Sequence, residues 1–475
     1  MKTTIKNVLT MLVILSINYS IVAQENSNKK IEFNLEIHKY SDNVIGVQTD
    51  NGGFSQLALN TDKGVVIFGS HWGPDITIQY VNKIYTAFKS KIQYIINDSP
   101  RLIYTGGNYL FPDAVIIAQE EVNKVILEIE RNLENEINKE IALFTEKATT
   151  SRNYANEEDR SEEFKEDYNN WANTCQRISD DLKLGYTFKK PNLVFKEQLS
   201  LDLGNLTLEL TQSPFNNGGI IIWIPEEGIL KTKLFHDSHI INRGLLPNKK
   251  EDVDELLRIL DGFIAKGDQV KQVILWVSGT WSIDTVKERT DYLHLLWDEI
   301  NKATASKSNF ESVQESLSLN NKFSFVKQWP LYKKKGDIDG GLEYEHNVLL
   351  TSFWKLLHPT MYQYMIDFVQ QNGADNGITE LKSILKNRQN EYFIDERGMN
   401  GLGYQFLSDS KMELALEVFK AYVNLYPNSA NAYDSLGETY MNNGDKEKAI
   451  FNYEKSLELN PNNNNAKEML KSLKN

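Results

Sequence analysis

Cysteine is almost missing from this chain of 475 residues, since Cys175 is the only one. A single cysteine excludes an internal disulfide, and a chain of this size can bury a core without one. A basic stripe is missing too, because 52 Lys and Arg stand against 65 Asp and Glu, a formal charge of −13. Such a surface does not neutralise phosphates, which excludes nucleic acid as a partner. After residue 23, no apolar run approaches the roughly 20 residues that a membrane span needs.

The N-terminal segment has the pattern of a secretory signal. Lys2 and Lys6 precede a mostly apolar run, Val8–Ile17, and Ala23 offers a small residue at a cleavage site. The run is too short to anchor the chain in a bilayer. We therefore predict that residues 1–23 are a signal peptide and that the protein is exported, to the periplasm or out of the cell.

Short β-like runs separated by Gly and Asn-Gly turns follow the signal, and Pro74 then begins a helix-like segment between groups of strands. Strands, helix and strands in this order indicate an α/β layer structure. Charged residues with apolar residues at helical spacing predict two inserted helices at about 120–184. The predicted α/β domain covers residues 31–303, and a mainly helical linker region, 304–395, follows without a recognisable site.

The C-terminal segment repeats one pattern at a spacing of 34, in residues 396–429 and 430–463. This pattern is typical of a tetratricopeptide repeat, in which small residues let paired helices approach, bulky residues fill the gap, and proline ends the unit. A closing helix is predicted up to Leu473. The repeated positions are Met399, Leu402, Gly403, Phe406, Ala415, Phe419 and Pro427, and then Tyr433, Leu436, Gly437, Tyr440, Ala449, Tyr453 and Pro461.

Stacked helix pairs of this kind form a groove that commonly takes a peptide or a partner helix, so we predict a protein partner there. Two repeats are fewer than the roughly three that an independent solenoid needs. The sequence leaves two alternatives open: the repeats pack on the helices of residues 331–395, or they form a homodimer.

The order and spacing of several segments resemble the metallo-β-lactamase superfamily over residues 31–303. The resemblance implies an α/β fold, a four-layer αββα metallo-β-lactamase-like sandwich, here followed by an all-α helical repeat domain. Members of that family hold one or two metal ions, usually zinc, at the loop ends, where a metal-bound hydroxide attacks the substrate. The segments that carry the resemblance are Thr61–Val66, Trp72–Pro74, Thr105–Asn108, Phe111–Ile116, Ile224–Glu227 and Val277–Gly279.

The residues that bind the metal in that family are missing from this chain. Catalytic zinc needs about three protein ligands from His, Cys, Asp or Glu. Arg101 lies at one of the positions that hold metal ligands in that family, and its permanent positive charge would also repel the metal. We therefore expect no cofactor and a cleft packed by apolar groups. The family's ligand positions hold Ser99, Arg101, Ile103, Tyr104, Phe215, Leu234 and Thr280.

Two other sites could occupy the same cleft. A carboxylate or phosphate suits one fixed cation with three hydroxyls, which are Arg101 with Ser99, Tyr104 and Thr280; the alternative is that Arg101 pairs with a neighbouring acid. A rearranged zinc site could instead be built from histidines and an aspartate elsewhere in the sequence. Its ligands would be His71, His236, Asp237 and His239.

The favoured hypothesis is an exported pseudoenzyme with a hydrolase-type fold, which binds a ligand or a protein through the old cleft and the repeat tail. The first alternative is a metal-dependent hydrolase with a rearranged site around His236, Asp237 and His239. The second alternative is a scaffold protein in which the repeats alone act.

Overall fold

The computed structural model describes residues 31–49, 55–157, 160–185, 187–213, 219–235, 246–275, 279–329 and 341–474. By its internal contacts the chain divides into two compact units, Met1–Pro247 with Glu251–Tyr292, and Asn248–Lys250 with Leu293–Asn475. Several sequence predictions fall outside the described residues: the signal peptide at 1–23, and Phe215, His236, Asp237 and His239.

In the described part of the first unit, seven strands form one sheet in chain order. The first four strands are antiparallel neighbours, and the fourth to the seventh run parallel. Parallel neighbours place their carboxyl ends, and the loops that follow, at the same edge of the sheet. The strands are β1 (Leu35–Lys39), β2 (Val44–Thr49), β3 (Ser55–Thr61), β4 (Gly64–Phe68), β5 (Ile92–Asn97), β6 (Val115–Gln119) and β7 (Leu193–Phe195).

The second sheet of this unit has six strands among the described residues, in the order β13-β12-β11-β10-β9-β8. Among the described strands of this sheet, only the pair β11 and β12 is parallel, and the helix Lys250–Ile264 lies in the crossover between them. The strands are β8 (Gln198–Asp202), β9 (Thr207–Gln212), β10 (Ile220–Ile224), β11 (Ile229–Lys231), β12 (Gln272–Ile274) and β13 (Thr280–Trp281).

The helices of the first unit connect these strands. The charged insertion contains three helices where the sequence predicts two, because the backbone at Asn132 leaves helical geometry, with φ −125° and ψ 31°. The helices are α1 (Pro74–Phe88), α2 (Leu102–Thr105), α3 (Glu120–Arg131), α4 (Leu133–Ala155), α5 (Glu162–Leu182), α6 (Lys250–Ile264) and α7 (Ile283–Ala305), which continues into the second unit.

The first sheet buries both faces of its inner strands, because successive side chains of a strand point to opposite sides, whereas the edge strand β1 is mostly exposed. Ile67 and Ile95 belong to a core shared with α1, α4 and α5, whereas Val66 and Ile96 belong to a core shared with the second sheet. The crossover helix α6 must therefore cover the outer face of the second sheet, where Trp223 is buried. Helices, sheet, sheet and helices follow in that order, which confirms the predicted αββα class.

The described residues of the second unit form helices and no strand. Its helices Met361–Asn372 and Ala374–Ser383 share one hydrophobic core with the helices of the repeat segment. In the described parts of both units, no helix combines the length and the hydrophobicity needed to cross a bilayer. The helices that follow α7 are α8 (Phe310–Ser316), α9 (Gly341–Leu357), α10 (Met361–Asn372), α11 (Ala374–Ser383), α12 (Glu396–Ser408), α13 (Met412–Leu425), α14 (Ala430–Asn442), α15 (Lys446–Leu459) and α16 (Asn464–Lys474).

The repeat segment forms two helix pairs, α12 with α13 and α14 with α15, followed by α16. A β-carbon at Gly403 would collide with the ring of Phe419, and one at Gly437 would lie 3.2 Å from the ring of Tyr453. Glycine at these two positions therefore permits each pair to pack closely, as the sequence pattern predicts.

Candidate functional site

The loop edge of the sandwich brings together three charged side chains from the two sheets. Asp98 follows β5 of the first sheet, Lys231 ends β11 of the second, and Lys233 comes shortly after it. The Lys231 Nζ lies 3.7 Å from the Asp98 Oδ2, and the Lys233 Nζ lies 3.0 Å from the Oδ1. Lys233 also donates to the backbone oxygen of Asp98, at 3.0 Å. We call these three residues the Lys–Asp–Lys cluster.

The cluster is withdrawn from solvent, with side-chain exposures of 5% for Lys231, 6% for Asp98 and 11% for Lys233. Burial opposes the ionisation of Asp98, but the ammonium groups of Lys233 and Lys231 outweigh it and hold the pKa of this carboxyl below its ordinary value. Burial lowers the pKa of Lys231, against the attraction of Asp98. The carboxylate is therefore ionised at neutral pH and contacts both lysines at the junction of the sheets.

Tyr104, one of the predicted ligand-binding residues, lies beside this cluster. The Lys233 Nζ is 5.1 Å from the centre of the Tyr104 ring, within the range of a cation–π contact. The Tyr104 backbone oxygen also accepts a hydrogen bond of 2.8 Å from the N–H of Ser70. This bond ties the loop after β4 to the loop after β5.

Two further predicted residues lie along the same edge. Ser99 directly follows Asp98 and is half-buried. Thr280 is exposed and lies level with Lys231 across the sheet, because Ile274 on the strand between them pairs with both residues. Two strand spacings place its backbone about 10 Å from that of Lys231. The structure thus brings Ser99 and Tyr104 to the cluster and places Thr280 further along the edge.

Arg101 is directed at a helix. Its guanidinium donates to both carboxylate oxygens of Glu140 on α4, at 3.0–3.2 Å, and its side chain is 42% exposed. Such a forked pair is the strong form of a charge-assisted hydrogen bond. This geometry corresponds to the alternative in which Arg101 pairs with a neighbouring acid, so Arg101 is engaged away from the two lysines of the cluster.

The residues at the positions that the resemblance assigns to metal ligands do not fit zinc. Ile103 and Leu234 are buried apolar side chains, and the ammonium groups of Lys231 and Lys233 would repel a divalent cation. In the part of the chain that the structure describes, no group of three or more His, Cys, Asp and Glu side chains could hold a metal. Residues 236–239 of the alternative zinc site lie outside that part.

His71 is the described member of the alternative zinc site. It is buried between the rings of Trp72 and Tyr80, at centroid distances of 5.1 and 4.6 Å. Burial lowers the pKa of His71 to about 3, so its imidazole is neutral. One neutral imidazole enclosed by rings falls short of the roughly three ligands that catalytic zinc requires.

The Thr-Gly-Gly-Asn turn has a structural role next to the cluster. A β-carbon at Gly106 would lie 2.5 Å from the backbone oxygen of Trp72, so glycine is needed for this close approach. The Asn108 Oδ1 accepts from the Ser70 hydroxyl at 2.8 Å, and its Nδ2 donates to Asn97 at 2.9 Å. The turn therefore fixes the loops after β4 and β5 against each other.

Sequence reasoning missed all three residues of the Lys–Asp–Lys cluster. A signal was present, because Lys231 ends a buried apolar strand and Asp98 immediately precedes the first old ligand position. A charged residue at the carboxyl end of a buried strand is a candidate site residue in α/β sheets. Which charges meet there depends on how the two sheets pack.

A family model described as tetratricopeptide repeat matches residues 430–463, which confirms the predicted repeat there. The chain matches none of the curated proteins with which it was compared. It is similar to a metallo-β-lactamase from Pontibacter korlensis at 13% identity and a TM-score of 0.36, over 55% of this chain and 99% of that chain. It is also similar to a stereoselective inverting sec-alkylsulfatase from Pseudomonas sp. at 10% identity and a TM-score of 0.42, over 92% of this chain and 67% of that chain.

Proposed function

We propose that this chain is an exported, non-hydrolytic binding protein whose sandwich takes a small anion at the Lys–Asp–Lys cluster and whose repeats contact another protein. The observation that carries the proposal is the buried amino group of Lys231. Its contact with Asp98 is 3.7 Å long, beyond the usual length of a hydrogen bond.

An anion fits the donors of this amino group. A protonated lysine has three N–H donors and no acceptor. When a carboxylate accepts from one N–H, the other two can donate to different partners. Charge-assisted hydrogen bonds are strengthened where water is excluded, as it is around Lys231. A carboxylate, phosphate or sulfate group could accept from the Lys231 donors that Asp98 does not occupy.

Hydrolysis is disfavoured because the chemistry of this fold depends on a metal-bound hydroxide. Metal ions activate water by lowering its pKa, whereas ammonium groups stabilise an anion without supplying a nucleophile. The apolar side chains of Ile103 and Leu234 fill space at the old ligand positions. The residues present favour holding an anionic group over cleaving a substrate.

The repeat tail supports the protein-binding half of the proposal. A groove of about 630 Å³ lies along α13, α14 and α15, with Tyr433, Leu436, Tyr440 and Phe451 among the residues that line it. Phe451 is 58% exposed and lines this groove. An aromatic side chain presented in this way suits contact with an apolar segment of a partner.

The anion site is tested by Lys231→Met, with Lys91→Met as the matched control. Lys231 ends a strand at the loop edge, whereas Lys91 precedes β5 at the opposite edge and forms an exposed pair with Asp113. We expect Lys231→Met to weaken the binding of phosphate or acetate at least about tenfold in calorimetric titration, the loss of one charge-assisted hydrogen bond. Asp98 keeps its shorter contact with Lys233, so the fold should persist.

Three results would contradict the anion site. The first is a wild-type chain that binds neither anion, and the second is equal binding by wild type and Lys231→Met. The third is an equal loss of binding in Lys91→Met, because that outcome would reflect net charge alone.

A further inference from the structure

A separate cavity of about 580 Å³ lies in the second unit, where α9 ends and where α10 and α12 begin. We call it the α10–α12 pocket. Its volume falls in the range of small-molecule sites. The pocket is lined by Lys355, Thr360, Met361, Tyr362, Phe393, Ile394, Asp395, Arg397, Gly398, Met399, Asn400 and Gly401.

Backbone hydrogen bonds hold the walls of the pocket together. Thr360 and Phe393 form an isolated parallel bridge. The Met361 N–H donates to the Phe393 oxygen at 3.0 Å, and the Phe393 N–H donates to the Pro359 oxygen at 2.9 Å. The segment before α12 is therefore fixed against the start of α10, and the pocket is a built feature of the fold.

The inner wall of the pocket is apolar. Met361, Phe393 and Met399 are buried core residues whose surfaces line the cavity, and Tyr362 and Ile394 extend the same wall as half-buried side chains. A hydrocarbon or aromatic group placed against this wall would leave water for an apolar surface, which is favourable. The wall therefore selects a ligand with an apolar part.

The outer wall carries positive charge. Lys355 and Arg397 are exposed, and neither has an ion-pair partner in the described part of the chain. The Lys355 Nζ lies 4.4 Å from the centre of the Phe393 ring, so this cation is held over the apolar wall. The acid of the pocket, Asp395, caps α12, because its Oδ1 accepts from the Gly398 N–H at 2.7 Å. The lining therefore holds two basic side chains and one acidic side chain.

We propose that the α10–α12 pocket binds a small carboxylate with an apolar tail, the tail against Phe393 and Met399 and the carboxylate against Arg397 and Lys355. A guanidinium matches a carboxylate through two parallel hydrogen bonds, which makes Arg397 the principal recognition residue. This site lies in a different unit from the Lys–Asp–Lys cluster and does not depend on the function proposed for that cluster.

The test uses octanoate as the probe, with octanol and acetate as its two halves, titrated calorimetrically into the full chain. We expect octanoate to bind more tightly than either half.

Arg397→Gln should weaken octanoate binding at least about tenfold, the typical effect of losing a charge-assisted pair. Gly401→Leu should block binding by filling the cavity, since a β-carbon there meets Tyr362 only at the ordinary contact distance of 3.4 Å. Lys386→Gln, an exposed lysine of the same unit outside the pocket, should leave binding unchanged.

Arg397 is exposed, so its variant should keep the wild-type thermal midpoint, and a loss of binding then reports on the site. The proposal is wrong if octanol binds as tightly as octanoate, if Arg397→Gln retains wild-type affinity, or if Lys386→Gln loses as much affinity as Arg397→Gln.

Discussion

Replacing Asp98 by alanine is expected to lower the free energy of unfolding by about 3–5 kcal/mol, the usual cost of breaking a buried ion pair. The substitution removes the carboxylate that the buried ammonium groups of Lys231 and Lys233 share. Equilibrium unfolding in urea, with near-ultraviolet circular dichroism as a second probe, measures the change.

Asp113→Ala is the matched control, because Asp113 pairs with Lys91 at 3.2 Å but is 75% exposed. An exposed pair of this kind contributes at most about 1 kcal/mol.

A second test combines Asp98→Leu with Lys231→Met and Lys233→Met, since apolar groups of similar size can replace a buried charge cluster with little loss of stability. We expect the triple variant to recover most of the stability that Asp98→Ala loses. Equal losses in Asp98→Ala and Asp113→Ala would disprove a buried charge cluster at this edge.

Asp181 should make the stability of the first unit depend on pH. This buried residue of α5 accepts backbone hydrogen bonds from Asp75 and Ile76 in the first turn of α1, at 3.1 and 3.3 Å. Burial raises the pKa of Asp181 to about 7, and the nearby charge of Asp75 adds to the rise, against the effect of the two hydrogen bonds. In the unfolded chain the same carboxyl has a pKa of about 3.9.

The sign of this pH dependence follows from which state, folded or unfolded, keeps the Asp181 proton to a higher pH. Below about pH 4 the carboxyl is protonated in both states, so the folded state keeps its full stability. As the pH rises from about 4 to about 7, the unfolded state releases its proton first, and the free energy of unfolding falls by up to about 4 kcal/mol. Above about pH 7 the loss of stability is complete, and the ionisation of Asp181 causes no further change in the free energy of unfolding.

Asp181→Asn should abolish this loss, because the amide oxygen can accept from the same backbone N–H groups without carrying a charge. Urea unfolding measured from pH 4 to pH 8 should show the wild type losing stability relative to the variant. Asp180→Asn is the adjacent control, since Asp180 is 45% exposed and pairs with Lys183. A pH profile of Asp181→Asn that parallels the wild type would show that this carboxyl does not titrate in the window.

Much of the architecture follows from local sequence pattern. The alternation that separates Ile67 and Ile95 from Val66 and Ile96 is visible in the sequence, and it determines which side chains face helices and which face the second sheet. The repeat was equally accessible, because Gly437 and Tyr453 occupy fixed offsets in a 34-residue unit. The third helix of the insertion was missed because asparagine at 132 is a weak break signal within a run of helix-forming residues.

The chemistry of the cleft was less predictable, because its partners are far apart in sequence. Arg101 meets Glu140 across 39 positions, and Lys233 meets Asp98 across 135. Local periodicity assigns a side chain to a face, but it does not say which charge from another element arrives there. Arg101 and Tyr104 were therefore predicted as candidate site residues, whereas the lysines of the second sheet were not.

The central claim is that lysine side chains occupy the loop edge where the resemblance to the metallo-β-lactamase superfamily would place a metal, and zinc stoichiometry tests it most directly. The purified full-length chain would be stripped with a chelator, returned to equimolar and excess zinc, dialysed, and assayed by inductively coupled plasma mass spectrometry. We predict less than one-tenth of an equivalent of retained zinc, in the wild type and in His236→Ala alike. One or two tightly held equivalents that disappear in His236→Ala would contradict the claim and favour the rearranged metal site.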